Sequence, residues 1–167
     1  MSHFKNILVA FDGSLDSIHA LKAAETLAKD NQAHLTVAYV HDRSPEGSAN
    51  HGTTSPKDIL SQTYVGPGPA PTRTIHRHMN DKRRNKWMNT PDQVISSAKN
   101  TISSRISVKY EILMGNPANQ LRLYAKDNKK DLIVIGNRGM NGFKKTVMGS
   151  VSRKVTNQAD CAVLVIK

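Results

Sequence analysis

The chain has 167 residues and a single cysteine, Cys161, so no internal disulfide framework can form. That fits a reducing compartment. Aromatic residues make up 5% of the chain, too few for the base-stacking platforms of a single-strand nucleic-acid binder. No apolar run approaches the roughly 20 residues that cross a bilayer. The opening residues, Met1 to Ser14, pass straight into a strand-like run and lack the design of a secretory signal. The expectation is a cytoplasmic protein with no membrane contact. Proline is nearly missing from both ends: five of seven lie between Pro45 and Pro71, leaving only Pro91 and Pro117 elsewhere. Acidic residues are also scarce, 13 against 24 lysines and arginines, for a formal net charge of +11.

The surplus charge is not spread evenly. Residues 1–43 carry four basic against five acidic side chains, residues 44–90 seven against three, and residues 91–167 thirteen against five. A basic balance speeds encounters with polyanions and helps solubility without identifying a partner.

The regular pattern begins with Lys5–Phe11, a near-continuous apolar run ending in Asp12-Gly13-Ser14. Such runs suit strands buried on both faces, as in a parallel sheet. Ser14 is a good N-cap, and Ile18, Ala20, Leu21, Ala24, Leu27 and Ala28 recur at helical spacing through about Lys29. Ala33–Val40 reads as a second strand. From Ser44 to Asn89 the pattern breaks into a Pro- and Gly-rich stretch with a basic tail, Arg73–Lys86, which reads as an insertion of about residues 44–90 rather than a second domain. Order returns at Pro91, a good first helical residue. A helix, strand Ser107–Leu113, helix Pro117–Asn128, strand Asp131–Ile135, a helix near Ser150 and strand Cys161–Ile166 follow. Five strands, each later one preceded by a helix, predict a single-domain α/β fold: a parallel, doubly wound, Rossmann-like sheet with helices on both faces.

Open parallel sheets bind ligands beyond the carboxyl ends of their strands. The most informative strand end here runs from Gly136-Asn137-Arg138-Gly139 to Gly149-Ser150-Val151-Ser152. Gly136 and Gly139 let the backbone approach a ligand closely. Gly149-Ser150 opens the next helix, whose free N–H groups and positive dipole end suit a phosphate. Ser150 and Ser152 can add hydroxyl donors, and Arg138, Lys144 and Lys145 can add charge. This is neither the P-loop nor the dinucleotide fingerprint. Taken alone, a glycine-rich connection that binds nothing is the competing, less favoured reading, since turn glycines are common.

The spacing Gly136-x-x-Gly139, nine residues, Gly149-Ser150 resembles the G-2x-G-9x-G-(S/T) motif of the ATP-binding universal stress proteins. Phe11-Asp12-Gly13-Ser14, Gly115-Asn116-Pro117 and Asp131–Gly136 resemble that family in order and position, and the likeness covers residues 1–43 and 91–167. The resemblance implies an adenine nucleotide alpha hydrolase-like fold that binds ATP with Mg²⁺. It places the triphosphate at Gly136, Gly139, Gly149, Ser150 and the Val151 amide. Asp12 would lie beside the nucleoside, the Val40 backbone against adenine, and Gly115 at the cleft's edge. It further implies a homodimer through the last strand, Cys161–Ile166, acting in stress response or regulation. Ala162 departs from the family, where proline is common, and so does the long basic insertion.

Two other readings stay open. Asp12-Gly13-Ser14-Leu15-Asp16-Ser17 is close to the Ser-Gly-Gly-x-Asp-Ser loop of ATP pyrophosphatases, but Ser14 puts a side chain where pyrophosphate would need glycine. A slow hydrolase or adenylating enzyme could draw on Asp12, Asp16 or His41, yet no general base is placed beside the glycine loop, so the expectation is binding with at most weak ATPase activity. The Arg73–Lys86 tract with Trp87 could serve a polyanion; a solvated loop is the simpler reading, and nucleic acid is not the expected partner. His76-x-His78 lacks a matching ligand cluster for a metal. His41-Asp42 reads as polar residues closing a strand, Cys161 as inert packing, and Met140 and Met148 as packing beneath the loop.

Overall fold

The computed structural model describes residues 4–42, 90–103, 106–139 and 148–167. The expected insertion and its basic tract, Lys144, Lys145 and Met140 lie outside them. Strand β1 (Asn6–Ala10) leads to helix α1 (Leu15–Asn31) and β2 (His34–His41). Then come α2 (Pro91–Thr101), β3 (Val108–Met114), α3 (Pro117–Asp127), β4 (Leu132–Gly136), α4 (Ser150–Gln158) and β5 (Ala162–Ile166).

The five strands form one parallel sheet in the order β3-β2-β1-β4-β5. The chain builds outward from β1 through β2 to β3, then returns to the other side of β1 for β4 and β5. The topology therefore reverses between β1 and β4, side by side at the centre, where such sheets leave a crevice at their carboxyl ends.

Two apolar layers sandwich the sheet. Ile7, Val9, Leu35, Val37 and Val134 point to one side, under Ala20, Leu21, Ala24 and Ala28 of α1 and Val94 and Ala98 of α2. Leu8, Ala38, Ile133 and Ile135 point to the other, under Ala118, Leu121 and Ala125 of α3 and Val155 of α4. The alternation within β1 and β4 is the period-two rule applied to strands covered on both faces, which is why they read as unbroken apolar runs.

Element ends follow local chemistry. Ser14 caps α1 by accepting from the Ser17 N–H, and α1 runs to Asn31, past the expected Lys29, because Gln32 adopts φ 50° and closes it with a left-handed cap. Thr90, placed by sequence within the insertion, is the N-cap of α2. Its side chain accepts from Gln93 N while the Gln93 side chain accepts from Thr90 N. Thr90-x-x-Gln93 is a capping box written in the sequence, missed because the neighbouring residues looked irregular. Cys161 falls just outside β5, which begins at Ala162. Among the described residues no helix is long and apolar enough to cross a membrane.

Candidate functional site

The β1–α1 connection makes the first wall. Gly13 has φ +83°, a conformation that costs glycine little and other residues considerably more. It lets the chain turn so that the Ser14 N–H donates to Asp12 Oδ1 at 2.9 Å. The Ser17 hydroxyl lies 3.4 Å from the Asp12 N–H and donates to the Ser14 carbonyl at 2.8 Å, which ties the loop to the first turn of α1.

The second wall is the β4–α4 connection, anchored at both ends. The Asn137 N–H donates to the Ile166 carbonyl of β5 at 2.6 Å, extending the sheet by one residue. The Asn137 carbonyl then accepts from the Gly149 N–H and from the Ser152 hydroxyl, each at 2.8 Å. Residues 137 and 149 are thereby held together across the intervening stretch, and Asn137 is buried at 5% exposure. A Cβ on Gly149 would meet that same carbonyl at 3.0 Å, a tight contact that needs the carbonyl to give by a few tenths of an ångström.

These bonds sort the expected phosphate donors. The Gly149 N–H is occupied by Asn137. Ser152, 2% exposed, donates within the loop, its Oγ lying 2.8 Å from the Asn137 carbonyl and 3.0 Å from that of Gly149. Its hydroxyl, expected from sequence as a phosphate donor, braces the loop in this structure. Ser150 and Val151, at the first two positions of α4, retain the character of an open helix start. Gly149 supplies no side-chain cap, and the first turn carries no acidic residue. Such an end favours an anion through its unpaired N–H groups and its dipole.

The two walls are joined. The Ser14 hydroxyl donates to the Arg138 carbonyl at 3.3 Å, and the Arg138 N–H donates to Asp16 Oδ2 at 3.1 Å. Where β4 ends, a Cβ on Gly136 would stand 2.7 Å from the backbone carbon of Asp16. One on Gly139 would stand 2.5 Å from Asp12 Oδ2. Both glycines thus mark places where the β4–α4 loop touches the start of α1. The β1–α1 side thus carries two carboxylates, Asp12 and Asp16, and the β4–α4 side ends in an open helix start.

Val40 and Gly115 stand at the same end of the sheet, on β2 and just after β3. Gly115, at φ +122°, donates its N–H to the His41 carbonyl at 3.1 Å. The His41 ring lies 6.2 Å from that of Tyr39 at 50°. Burial and the Asp12 carboxylate both push the Tyr39 phenol up from its usual value, so it stays neutral at physiological pH. Sequence reasoning missed Asn137, whose role rests on its peptide carbonyl and leaves no side-chain signature. It saw Asp16 only as a first-turn acid or an enzymatic acid; its hold on Arg138 comes from tertiary contact. The Cys161 thiol is pushed up by burial and then by Asp131 and Asp160, which agrees with inert packing. Among the described residues no group of three or more His, Cys, Asp or Glu is arranged to hold a metal ion.

A profile described as the universal stress protein family matches residues 3–167. Universal stress protein YxiE of Bacillus subtilis (strain 168) is 33% identical over 166 residues, covering 98% of this chain and 99% of its own. Among solved structures, universal stress protein UspA from Lactobacillus plantarum superposes with a TM-score of 0.65 at 26% identity, over 100% of both chains. A universal stress protein in complex with cAMP gives 0.58 at 20% identity, over 99% of this chain and 98% of its own. One from Archaeoglobus fulgidus in complex with dAMP gives 0.54 at 20%, over 99% and 100%.

Proposed function

The chain belongs to the universal stress protein family, and from that premise we propose that it binds an adenine nucleotide, ATP with its Mg²⁺, in the crevice between the β1–α1 and β4–α4 connections. The observation that carries this reading is the 2.8 Å bond from the Gly149 N–H to the Asn137 carbonyl, which closes the loop and sets the uncapped start of α4 beside the end of β4.

The two sides of that crevice suit a nucleotide's two ends. Phosphate oxygens match the Ser150 and Val151 amides, the Ser150 hydroxyl and the Arg138 side chain. Ribose hydroxyls are donors, and the Asp12 carboxylate of the β1–α1 connection is the proposed acceptor for them. The base would lie toward Val40 and Gly115, at the ends of β2 and β3. Two universal stress proteins of the same fold are known in complex with cAMP and with dAMP, which supports the adenine class while leaving the number of phosphates to experiment. The Mg²⁺ ion would travel on the phosphates.

The protein acts in this reading as a nucleotide-dependent cytoplasmic regulator in stress response, not as an efficient enzyme. It pairs with a second copy through β5, an edge strand whose residues Val163 to Ile166 are only partly covered. The test is to purify the protein, denature it and assay the supernatant for adenine nucleotide, then to measure the melting temperature with and without Mg·ATP. Released nucleotide, or a concentration-dependent rise in melting temperature, supports the reading. An apo protein that does not respond to millimolar Mg·ATP, Mg·ADP or AMP would sink it.

A further inference from the structure

We propose that Asp16 is a positioning residue of the phosphate loop, and that its charge sets the preference among ligands of different phosphate number. The inference rests on the nucleotide reading above and extends it to a residue that touches no ligand.

An acid in the first turn of a helix needs no special explanation, since the dipole favours it. That accounts for a carboxylate at position 16 but not for where it points. Its Oδ2 accepts from the Arg138 N–H at 3.1 Å, 122 residues away in sequence. The Arg138 carbonyl accepts from the Ser14 hydroxyl at 3.3 Å, and a Cβ on Gly149 would come within 3.4 Å of the Arg138 Cα. Below it, Gly136 is pressed against the Asp16 backbone. Side chains from the N-cap and first turn of α1 and the backbone at the start of α4 thus converge on Arg138, and Asp16 gives its N–H a charge-assisted hydrogen bond. Such bonds are stronger than neutral ones and more directional. Without that acceptor the Arg138 N–H loses its partner and the segment 137–139 can rotate away from the geometry that the loop needs.

The same carboxylate brings a cost. Its negative charge, from the first turn of α1, lies against the loop proposed to bind phosphate, so each additional phosphate charge is repelled. Asp16 therefore holds the loop in shape while biasing it toward less charged ligands. Asparagine separates the two effects, because it keeps an acceptor oxygen and removes the charge.

The experiment titrates AMP, ADP and ATP into the full-length protein and its Asp16→Asn and Asp16→Ala variants by calorimetry, in low and high salt. Asp16→Ala should weaken AMP by about ten-fold, the scale of a lost charge-assisted bond, and ATP by less, because the repelling charge is lost as well. Asp16→Asn should keep AMP within about three-fold of the parent and raise the ATP-to-AMP affinity ratio by about two-fold or more at low salt, an effect that shrinks as salt screens it. Parental binding by Asp16→Ala, or equal losses in both variants with no change in the ratio, would overturn the proposal. In parallel, amide exchange at Arg138 is followed by NMR without ligand. It should quicken in Asp16→Ala and stay slow in Asp16→Asn; unchanged exchange in both refutes the positioning role. A parent that binds none of the nucleotides refutes the functional reading and the charge preference together, while the exchange data still decide the hold on Arg138.

Discussion

Two glycines three residues apart should fail in opposite ways when each receives one methyl group. At Gly136 the new Cβ would stand 2.7 to 2.9 Å from the backbone carbon, Cβ and backbone oxygen of Asp16. Backbone in the first turn of a packed helix cannot step aside cheaply. Overpacking of this kind costs about 1–3 kcal/mol. Replacing glycine recovers about 0.4–1 kcal/mol from the unfolded chain. The net loss for Gly136→Ala is about 1–2 kcal/mol, or roughly 2–8 °C in melting temperature for a chain of this size. At Gly139 the clash, at 2.5 Å, is with Asp12 Oδ2, the far end of a side chain that can rotate. Rotation weakens the 2.9 Å bond from Ser14 N, and the gain from the unfolded chain offsets most of that. Gly139→Ala should therefore melt within about 3 °C of the parent. It nevertheless displaces the carboxylate proposed to meet the ribose, so affinity for ATP should fall about ten-fold. Differential scanning calorimetry and isothermal titration on the same preparations check both numbers. If Gly139→Ala proved the less stable variant, or kept parental affinity, the assignment of these contacts to stability and binding would be wrong.

Gly149→Asp should retain the fold, since aspartate is a favoured N-cap, yet lose ATP binding at least about a hundred-fold, because a carboxylate would sit at the helix start that phosphate needs; calorimetry on the folded variant reads both. Thr90→Ala should remove the α2 capping box and cost about 1 kcal/mol in chemical denaturation with no effect on nucleotide titrations. Cys161, whose thiol is pushed up by burial and by Asp131 and Asp160, should react slowly with an aromatic disulfide reagent at pH 8. The rate should climb only well into the alkaline range, since the nucleophilic thiolate forms there. Asp131→Asn should move that rise toward lower pH; an unchanged profile would contradict the electrostatic cause.

The sheet was legible because its chemistry is local. Ile7 to Val9 and Leu132 to Ile135 are buried on both faces and spell unbroken apolar runs. Ser14, Pro91 and Pro117 each stand where a helix can start. Where the reading slipped, tertiary or cooperative effects had replaced local ones. Thr90 looked like the tail of an irregular stretch until the structure showed its reciprocal bonds with Gln93. The two extra residues at the end of α1 depend on Gln32 accepting a left-handed conformation, which its side chain does not announce.

The site divides along the same line, and the division bears on how the cleft works. Glycines at 136, 139 and 149 could be read from sequence because glycine eases the close approaches found at each. Their purpose could not, because the objects approached are Asp16, Asp12 and the Asn137 carbonyl, distant in sequence. Sequence assigned the glycines to the ligand; the structure adds that each also fits one element of the protein against another. A loop whose glycines serve that purpose is already shaped before a nucleotide arrives. Preorganisation reduces the ordering cost of binding, so the nucleotide should leave the backbone at 136–139 and 149–152 nearly unchanged. Amide-exchange measurements can check this directly: protection at Asn137, Arg138 and Gly149 should be high without ligand and rise less than about ten-fold on saturation. A loop that exchanges freely until ATP is added would mean that the ligand, and not these three contacts, builds the cleft.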